Sequence, residues 1–163
     1  MWRSERGAAA AEMALILPLL LVLMFGAFEL GNYFRDWHTL SKAVRDGARF
    51  AARQDFSAFN CDDGTADSST VVEPTEELVR TGLVGGTGDL LPNWSEAEFA
   101  LSVTCITTAD GEEMSGIYSS QPDGAPIVTL TVRLPYRGLF GQFGWSGAGL
   151  NIGATEQAAV MGV

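Results

Sequence analysis

MALILPLLLVLMFGAF, residues 13–28, is a run of sixteen residues without a charge. As an α-helix rising about 1.5 Å per residue it covers roughly 24 Å. Bilayer hydrocarbon is about 30 Å thick and takes roughly 20 residues to cross. The flanks supply the difference, with Ala8–Ala11 before the run and Leu30–Phe34 (LGNYF) beyond Glu29. From Ala8 to Phe34 the chain can span a membrane if the carboxylates of Glu12 and Glu29 are accommodated. Pro18 lies inside the run and is expected to kink the helix. In water it would break one, but membrane helices tolerate proline because neighbouring groups satisfy the freed carbonyl. The alternative is a buried helix of a soluble domain, and so leucine-rich a run this near the start leaves little chain to cover it.

The rest of the composition follows from this division. The chain has 163 residues, 47% of them hydrophobic and 18% charged, and a formal net charge of −10. Its mean hydropathy is +0.13. That length suits one domain with an appendage, and so apolar a chain is not a disordered one. An excess of 20 acidic over 10 basic residues would repel phosphate and argues against a nucleic-acid partner. The charge is unevenly placed. Residues 1–53 hold 7 Lys and Arg against 5 Asp and Glu, whereas residues 54–163 hold 3 against 15. The acidity belongs to the part that follows the helix.

A removable secretory signal would place small residues after the apolar run. Here Phe28, Glu29 and Leu30 occupy that place. The small residues precede the run instead. Met1–Arg6 is a short leader with Arg3 and Arg6, followed by Gly7, Ala8–Ala11 and Glu12. This order resembles the class III signal that prepilin peptidase cuts in type IV pilin-like proteins. The resemblance implies cleavage between Gly7 and Ala8 on the cytoplasmic side, which makes Glu12 the fifth residue of the mature chain. A carboxylate in hydrocarbon costs about 2.5–3.5 kcal/mol or more unless it meets a cation. The resemblance supplies that cation as the new N-terminal amine, the subunit's own or a neighbour's. The alternative leaves Glu12 in the headgroup zone.

The wider stretch RGAAAAEMALILPLLLVLMFGAFELGNYFRDWHTLSKAVRDGARFAA resembles the TadE-like pilus-assembly family. The matching features are Arg6-Gly7, Glu12, the run Leu17-Pro18-Leu19-Leu20, Glu29 three residues after Gly26, and AVRDGARFAA (residues 43–52). Ordinary type IV pilins carry their helix proline later, so Pro18 points to this branch. The resemblance covers about the first 45 residues, and the remainder resembles nothing specific.

Beyond the membrane, RDWHTLSKAVRDGARFAAR (residues 35–53) places Trp37, Leu40, Val44, Ala48 and Ala51 at spacings of three and four, one face of a helix. Asp36, Lys42, Arg45, Asp46 and Arg49 are expected off that face. Gly47 weakens the helix by about 1 kcal/mol relative to alanine. The spacing predicts one unbroken helix from about Ala9 to about Ala52, roughly 65 Å long. Trp37 suits a membrane interface, and His38, the only histidine, has no metal-ligand spacing around it. Five cations follow the apolar run (Arg35, Lys42, Arg45, Arg49 and Arg53) against two in the leader. Counting alone would leave the long part in the cytoplasm. The glycine–glutamate signal and the two downstream cysteines assign the opposite orientation, with the long part in the periplasm.

Residues 54–70 read as a loop, and their acids (Asp62, Asp63, Asp67) lack the spacing of a calcium loop. A short helix opens at Pro74-Thr75-Glu76-Glu77 and ends near Arg80 or Thr81, before the glycine-rich loop 82–88. Strands are expected over 98–108, 127–134 and, more weakly, 150–160, where Gly153 suggests a bulge. The alternation of Val128, Leu130, Val132 and Leu134 with polar residues indicates an antiparallel sheet with one wet face. The connection 135–149 carries Tyr136, Leu139, Phe140, Phe143 and Trp145, expected to pack on the sheet or, failing that, to meet a partner. Cys61 and Cys105 favour a disulfide in a chain that leaves the cytoplasm, with free buried thiols as the alternative. A bridge would close a loop of about 45 residues and contribute roughly 3–4 kcal/mol. Asn93-Trp94-Ser95 matches a glycosylation sequon, a pattern common by chance.

These readings combine into an α+β, pilin-like layout: leader 1–7, transmembrane and extended helix 8–53, and an acidic extracytoplasmic domain 54–163 whose small antiparallel sheet receives the helix. No catalytic constellation, metal site or cofactor site stands in the sequence, and an enzyme is not expected. The resemblance implies a minor pilin or pseudopilin of the bacterial inner membrane that acts in assembly or tip formation of tight-adherence pili, in adhesion and in biofilm formation. Its implied partners are prepilin peptidase, other minor pilins and the major pilin, the inner-membrane assembly platform and membrane lipid. The alternative is an uncleaved, single-pass anchored binding or sensor domain.

Overall fold

The computed structural model describes residues 4–107, 114–121, 123–140 and 149–162, with side chains from Gly7 onward. The leader's Arg3 and Arg6 side chains, Thr108, and the connection residues Phe143 and Trp145 lie outside what is described.

The first element, α1, is one helix from Ser4 to Ala51 that passes through Pro18 without interruption. Proline there removes one donor, and the helix continues on both sides. From Gly7 to Phe28 every side chain is exposed, leucines and phenylalanines included. The segment has the length and hydropathy of a membrane span.

Beyond Glu29 the same helix enters a folded domain. After α1 a hairpin of two short strands, β1 (Phe59–Asn60) and β2 (Thr65–Ala66), leads to α2 (Glu73–Thr81). The chain then forms three strands, β3 (Glu98–Ile106), β4 (Ala125–Pro135) and β5 (Asn151–Ala159), in the antiparallel order β3-β4-β5. The layout is α+β, with a long helix packed on a small antiparallel sheet. The register is regular throughout, with Leu101 opposite Leu130 and Leu130 opposite Glu156. Gly153 pairs with Arg133 within an unbroken ladder, so the expected bulge is absent. The glycine instead keeps that position free of a side chain beside Arg133 Cγ.

On β4, Val128, Leu130, Val132 and Leu134 are buried, as the alternation requires. They face Leu40, Val44, Ala48 and Ala51 of α1, while Val79 of α2, Leu91 and Trp94 close the side. Gly47 is where α1, α2 and the sheet come closest. A Cβ there would collide with Val79 Cγ2 and stand 3.0 Å from Leu130 Cδ2. The buried stripe of α1 differs from the expected one at its lower end. Asp36 is buried and Trp37 is exposed, so the face rotates by one residue and starts at Asn32.

The hairpin within the expected loop 54–70 is tied to β3. Cys61 and Cys105 form a disulfide with Cα atoms 5.5 Å apart, 44 residues apart in the chain. Val103 N–H donates to Gly64 O at 2.9 Å, and Gly64 adopts φ +66° to make that approach. The short helix is longer at its start than expected, because Asp67 accepts from Thr70 N–H and nucleates a turn ahead of Glu73. It ends at Gly82, whose φ of +85° lets its N–H cap Leu78 O.

Candidate functional site

Ala8 and Glu12 are four residues apart on the exposed start of α1, hence on one face and one turn apart. Gly7 is exposed beside them. Among the described residues no cation pairs with Glu12. It is the one carboxylate on the bare helix between Gly7 and Phe28.

The second acidic residue of the apolar stretch behaves differently. Glu29 Oε2 accepts a hydrogen bond from Leu139 N–H at 3.0 Å, in the connection that follows β4. A Cβ on Gly138 would collide with Glu29 Oε1, so glycine permits the loop to lie this close to the carboxylate. One turn up, Asn32 Nδ2 donates to Tyr136 Oη at 3.0 Å, and Tyr136 Oη donates to Glu29 O at 3.2 Å. The next buried polar group is Asp36, which accepts from Arg35 Nε and Nη2 at 3.1 and 2.9 Å. Burial pushes the Tyr136 phenol above its ordinary pKa. Proximity to Glu29 and Asp36 acts in the same direction, and the hydrogen bond from Asn32 opposes it.

Aromatic contacts follow the same line. Tyr136 meets Tyr33 edge-to-face at 5.1 Å, and Phe140 meets Phe25 edge-to-face at 5.1 Å. Together with Leu30 and Leu150 they line an apolar groove of about 560 Å³ between α1 and the connection. The described aromatic residues of this loop, Tyr136 and Phe140, therefore pack on α1. Of the packing on the sheet or a partner expected from the sequence, the described residues show Tyr136 joining the main core. Periodicity misses Asn32 and Asp36 because it selects apolar positions, and here the buried positions of α1 are polar. The signal was present as Tyr136 directly after a strongly alternating strand, with Asn32 and Asp36 at helical spacing.

The remaining candidates have local roles. Asn60 Oδ1 accepts from Asp62 N–H and Asp63 N–H, so these acids belong to the hairpin turn. Among the described residues no group of His, Cys, Asp or Glu converges as a metal site would require. His38 is exposed and stacks edge-on against Trp37 at 5.0 Å. Two of the five cations beyond the apolar run are paired, Arg35 with Asp36 and Arg45 with Glu156 of β5 at 3.0 Å.

Residues 7–49 match the family described as TadE, TadE-like protein. The match lies wholly within α1 and takes in Gly7, Glu12, Pro18, Glu29 and Asn32. No curated protein and no solved structure matches the chain significantly.

Proposed function

We propose that this chain, whose first helix is TadE-like, is a minor pilin or pseudopilin of a tight-adherence pilus, made as a precursor and cut between Gly7 and Ala8 by prepilin peptidase. The observation that carries the reading is the bare apolar helix from Gly7 to Phe28 bearing the single carboxylate of Glu12. Such a helix suits storage in a bilayer followed by lateral packing among like helices, where apolar surface is again covered. Cleavage would leave an amine at Ala8 one turn from Glu12. Residues four apart on a helix have Cβ atoms about 5–6 Å apart, within reach of a charge pair with the subunit's own amine or a neighbour's. That pair makes the carboxylate tolerable in hydrocarbon and can set the axial position of the subunit.

The outer domain then lies outside the cytoplasm and meets other minor pilins, the major pilin or the assembly platform, in support of adhesion and biofilm formation. The reading assigns it no catalysis and no cofactor. The bridge between Cys61 and Cys105 supports an oxidising compartment. The test is N-terminal sequencing of the membrane-expressed protein with and without an active prepilin peptidase. A mature chain beginning at Ala8 is expected. An intact Met1 in the presence of the active enzyme would overturn the reading in favour of an uncleaved anchored domain.

A further inference from the structure

Four cations and the only histidine lie along one line of α1. Arg35, His38, Lys42, Arg45 and Arg49 follow one another at spacings of three and four residues, and all are exposed. That spacing keeps them on one face of the helix. It is the face turned away from the buried line of Leu40, Val44, Ala48 and Ala51. Packing within the chain therefore gives no reason for cations to be aligned here. Arg35 is held by Asp36, and Arg45 by Glu156 of β5. Among the described residues Lys42 and Arg49 have no ion pair.

We propose that this basic stripe is a lateral docking surface for the acidic domain of a second copy of the chain, standing beside the first in the same membrane. The chain is complementary to itself in charge, since residues 54–163 hold 15 Asp and Glu against 3 Lys and Arg. The acids at the right height are those of α2. Thr75 and Val79 seat α2 on α1 at Gly47, between Lys42 and Arg49. On the opposite side of α2, Glu73, Glu76 and Glu77 line a shallow concavity of about 440 Å³ with Arg80. Arg80 is itself paired with Asp89 at 3.5 Å. Among the described residues no ion pair holds the three glutamates, and none joins them to the stripe of their own helix. A bilayer keeps neighbouring spans side by side at one height. The glutamates of one copy then reach the level of Lys42 and Arg49 of the next without an axial shift. The contact uses two different surfaces, so it is head-to-tail and can continue from copy to copy.

Lipid suits the stripe poorly. Lys42 and Arg49 stand roughly 12 and 22 Å beyond Phe34 along the axis, at about 1.5 Å per residue. The Debye length at physiological salt is about 8 Å, so headgroup charge is screened before it reaches them. Docking also gives the cations beyond the apolar run a use separate from membrane orientation. The inference rests on α1 spanning a membrane and requires neither cleavage after Gly7 nor a pilus.

The test mixes two variants of the full chain in vesicles of phosphatidylethanolamine and phosphatidylglycerol. One carries Asp46→Cys beside the stripe, the other Ser69→Cys beside the α2 glutamates. A short bis-maleimide joins the added thiols, and the native disulfide leaves no other thiol among the described residues to react. The mixed pair is expected to crosslink about tenfold above a control in which Ser102→Cys, on the outer face of the sheet, replaces Ser69→Cys. The yield should fall as salt rises from about 0.1 M to about 1 M, where the Debye length shrinks from about 10 Å to about 3 Å. Exposed ion pairs are individually weak, so two are reversed together. Lys42→Glu with Arg49→Glu in the Asp46→Cys copy should lower the yield about tenfold. Glu73→Lys with Glu76→Lys in the Ser69→Cys copy should then restore it. A yield no higher than the control, or indifferent to salt and reversal, overturns the proposal and leaves the stripe to an acidic protein of another sequence. Loss without restoration refutes the pairing with α2. Crosslinks only between like variants report a face-to-face dimer and refute the head-to-tail contact. Crosslinking that appears only without phosphatidylglycerol assigns the stripe to anionic lipid and overturns the proposal too. None of these failures touches cleavage after Gly7, which N-terminal sequencing reads separately.

Discussion

Replacing Gly47 by alanine should destabilise the outer domain, although alanine is much the better helix former. Two effects oppose each other. The propensity gain within a helix is about 1 kcal/mol. Against it, the new methyl would collide with Val79 Cγ2 and crowd Leu130 Cδ2 at 3.0 Å. Both neighbours are fully enclosed, Val79 at 1% exposure and Leu130 at 0%. Valine on a helix has one strongly preferred rotamer, so its methyl cannot swing aside cheaply. Relief requires α1 and α2 to separate, and overpacking of this kind costs about 1–3 kcal/mol. The net loss is about 1 kcal/mol, or about 4 °C in Tm for a domain of this size. Thermal unfolding of the full chain in mild detergent, followed by the near-ultraviolet signal of buried aromatics such as Trp94, would read it. The decisive comparison repeats the change in a Val79→Ala background. With the obstructing methyl gone, only the 3.0 Å approach to Leu130 Cδ2 opposes the propensity gain, and Gly47→Ala should range from neutral to stabilising by up to about 1 kcal/mol. A Gly47→Ala protein more stable than the parent, or an additive double-mutant cycle, would refute the close approach of α1, α2 and the sheet.

Other predictions follow the same pattern. Glu12→Ala should still be cut after Gly7 but should fail to enter pili, as scored by shed-fibre immunoblot; normal piliation would remove the docking role. Thr75 is fully buried and its Oγ1 has no hydrogen-bond partner among the described residues. Thr75→Val should therefore raise stability by about 1 kcal/mol in the same melt, because it removes an unpaired hydroxyl without changing shape. Tyr136→Phe leaves Asn32 Nδ2 without its acceptor and should cost about 1–3 kcal/mol at neutral pH. The phenol's pKa is raised on folding, so parent stability should fall as pH rises from the ordinary tyrosine value near 10. The phenylalanine variant should lose that alkaline slope, which a pH series of melts would detect. Loss of the disulfide in the double variant Cys61→Ala and Cys105→Ala should cost roughly 3–4 kcal/mol by loop-closure entropy. Mass analysis of the parent after alkylation without reductant should find no free thiol.

What could be read in the sequence was what a single period encodes. The uncharged run from Met13 to Phe28 and the alternation of β4 are long enough for one pattern to dominate, and their bounds lie within a few residues of those observed. The hairpin of β1 and β2 could not be read, since two-residue strands carry no periodicity and are held by a crosslink and by Gly64. The stripe of α1 was misplaced at its lower end for a related reason. Hydropathy chooses Trp37 over Asp36, but the domain meets the helix there through polar side chains, and Trp37 is left outside. Gly153 was read as a bulge because glycine weakens strands, yet the ladder on both sides holds it in register. The contact of Phe140 with Phe25 joins residues distant in sequence, and no local rule reports it.

The domain is closed by elements far apart in the chain. β5 lies along α1, Met161 N–H donates to Ala52 O at 2.8 Å, and Val160 N–H donates to Pro126 O at 2.9 Å. The core that the first helix enters is therefore completed by buried residues from the other end of the chain, Ile152 and Val160. On the proposed orientation, the outward half of α1 would cross early and its apolar stripe would stay partly uncovered until β4 and β5 had followed it across. Folding would then be timed by the arrival of β5, and an arrest before residue 150 would leave a helix whose apolar stripe could pair with a neighbouring helix.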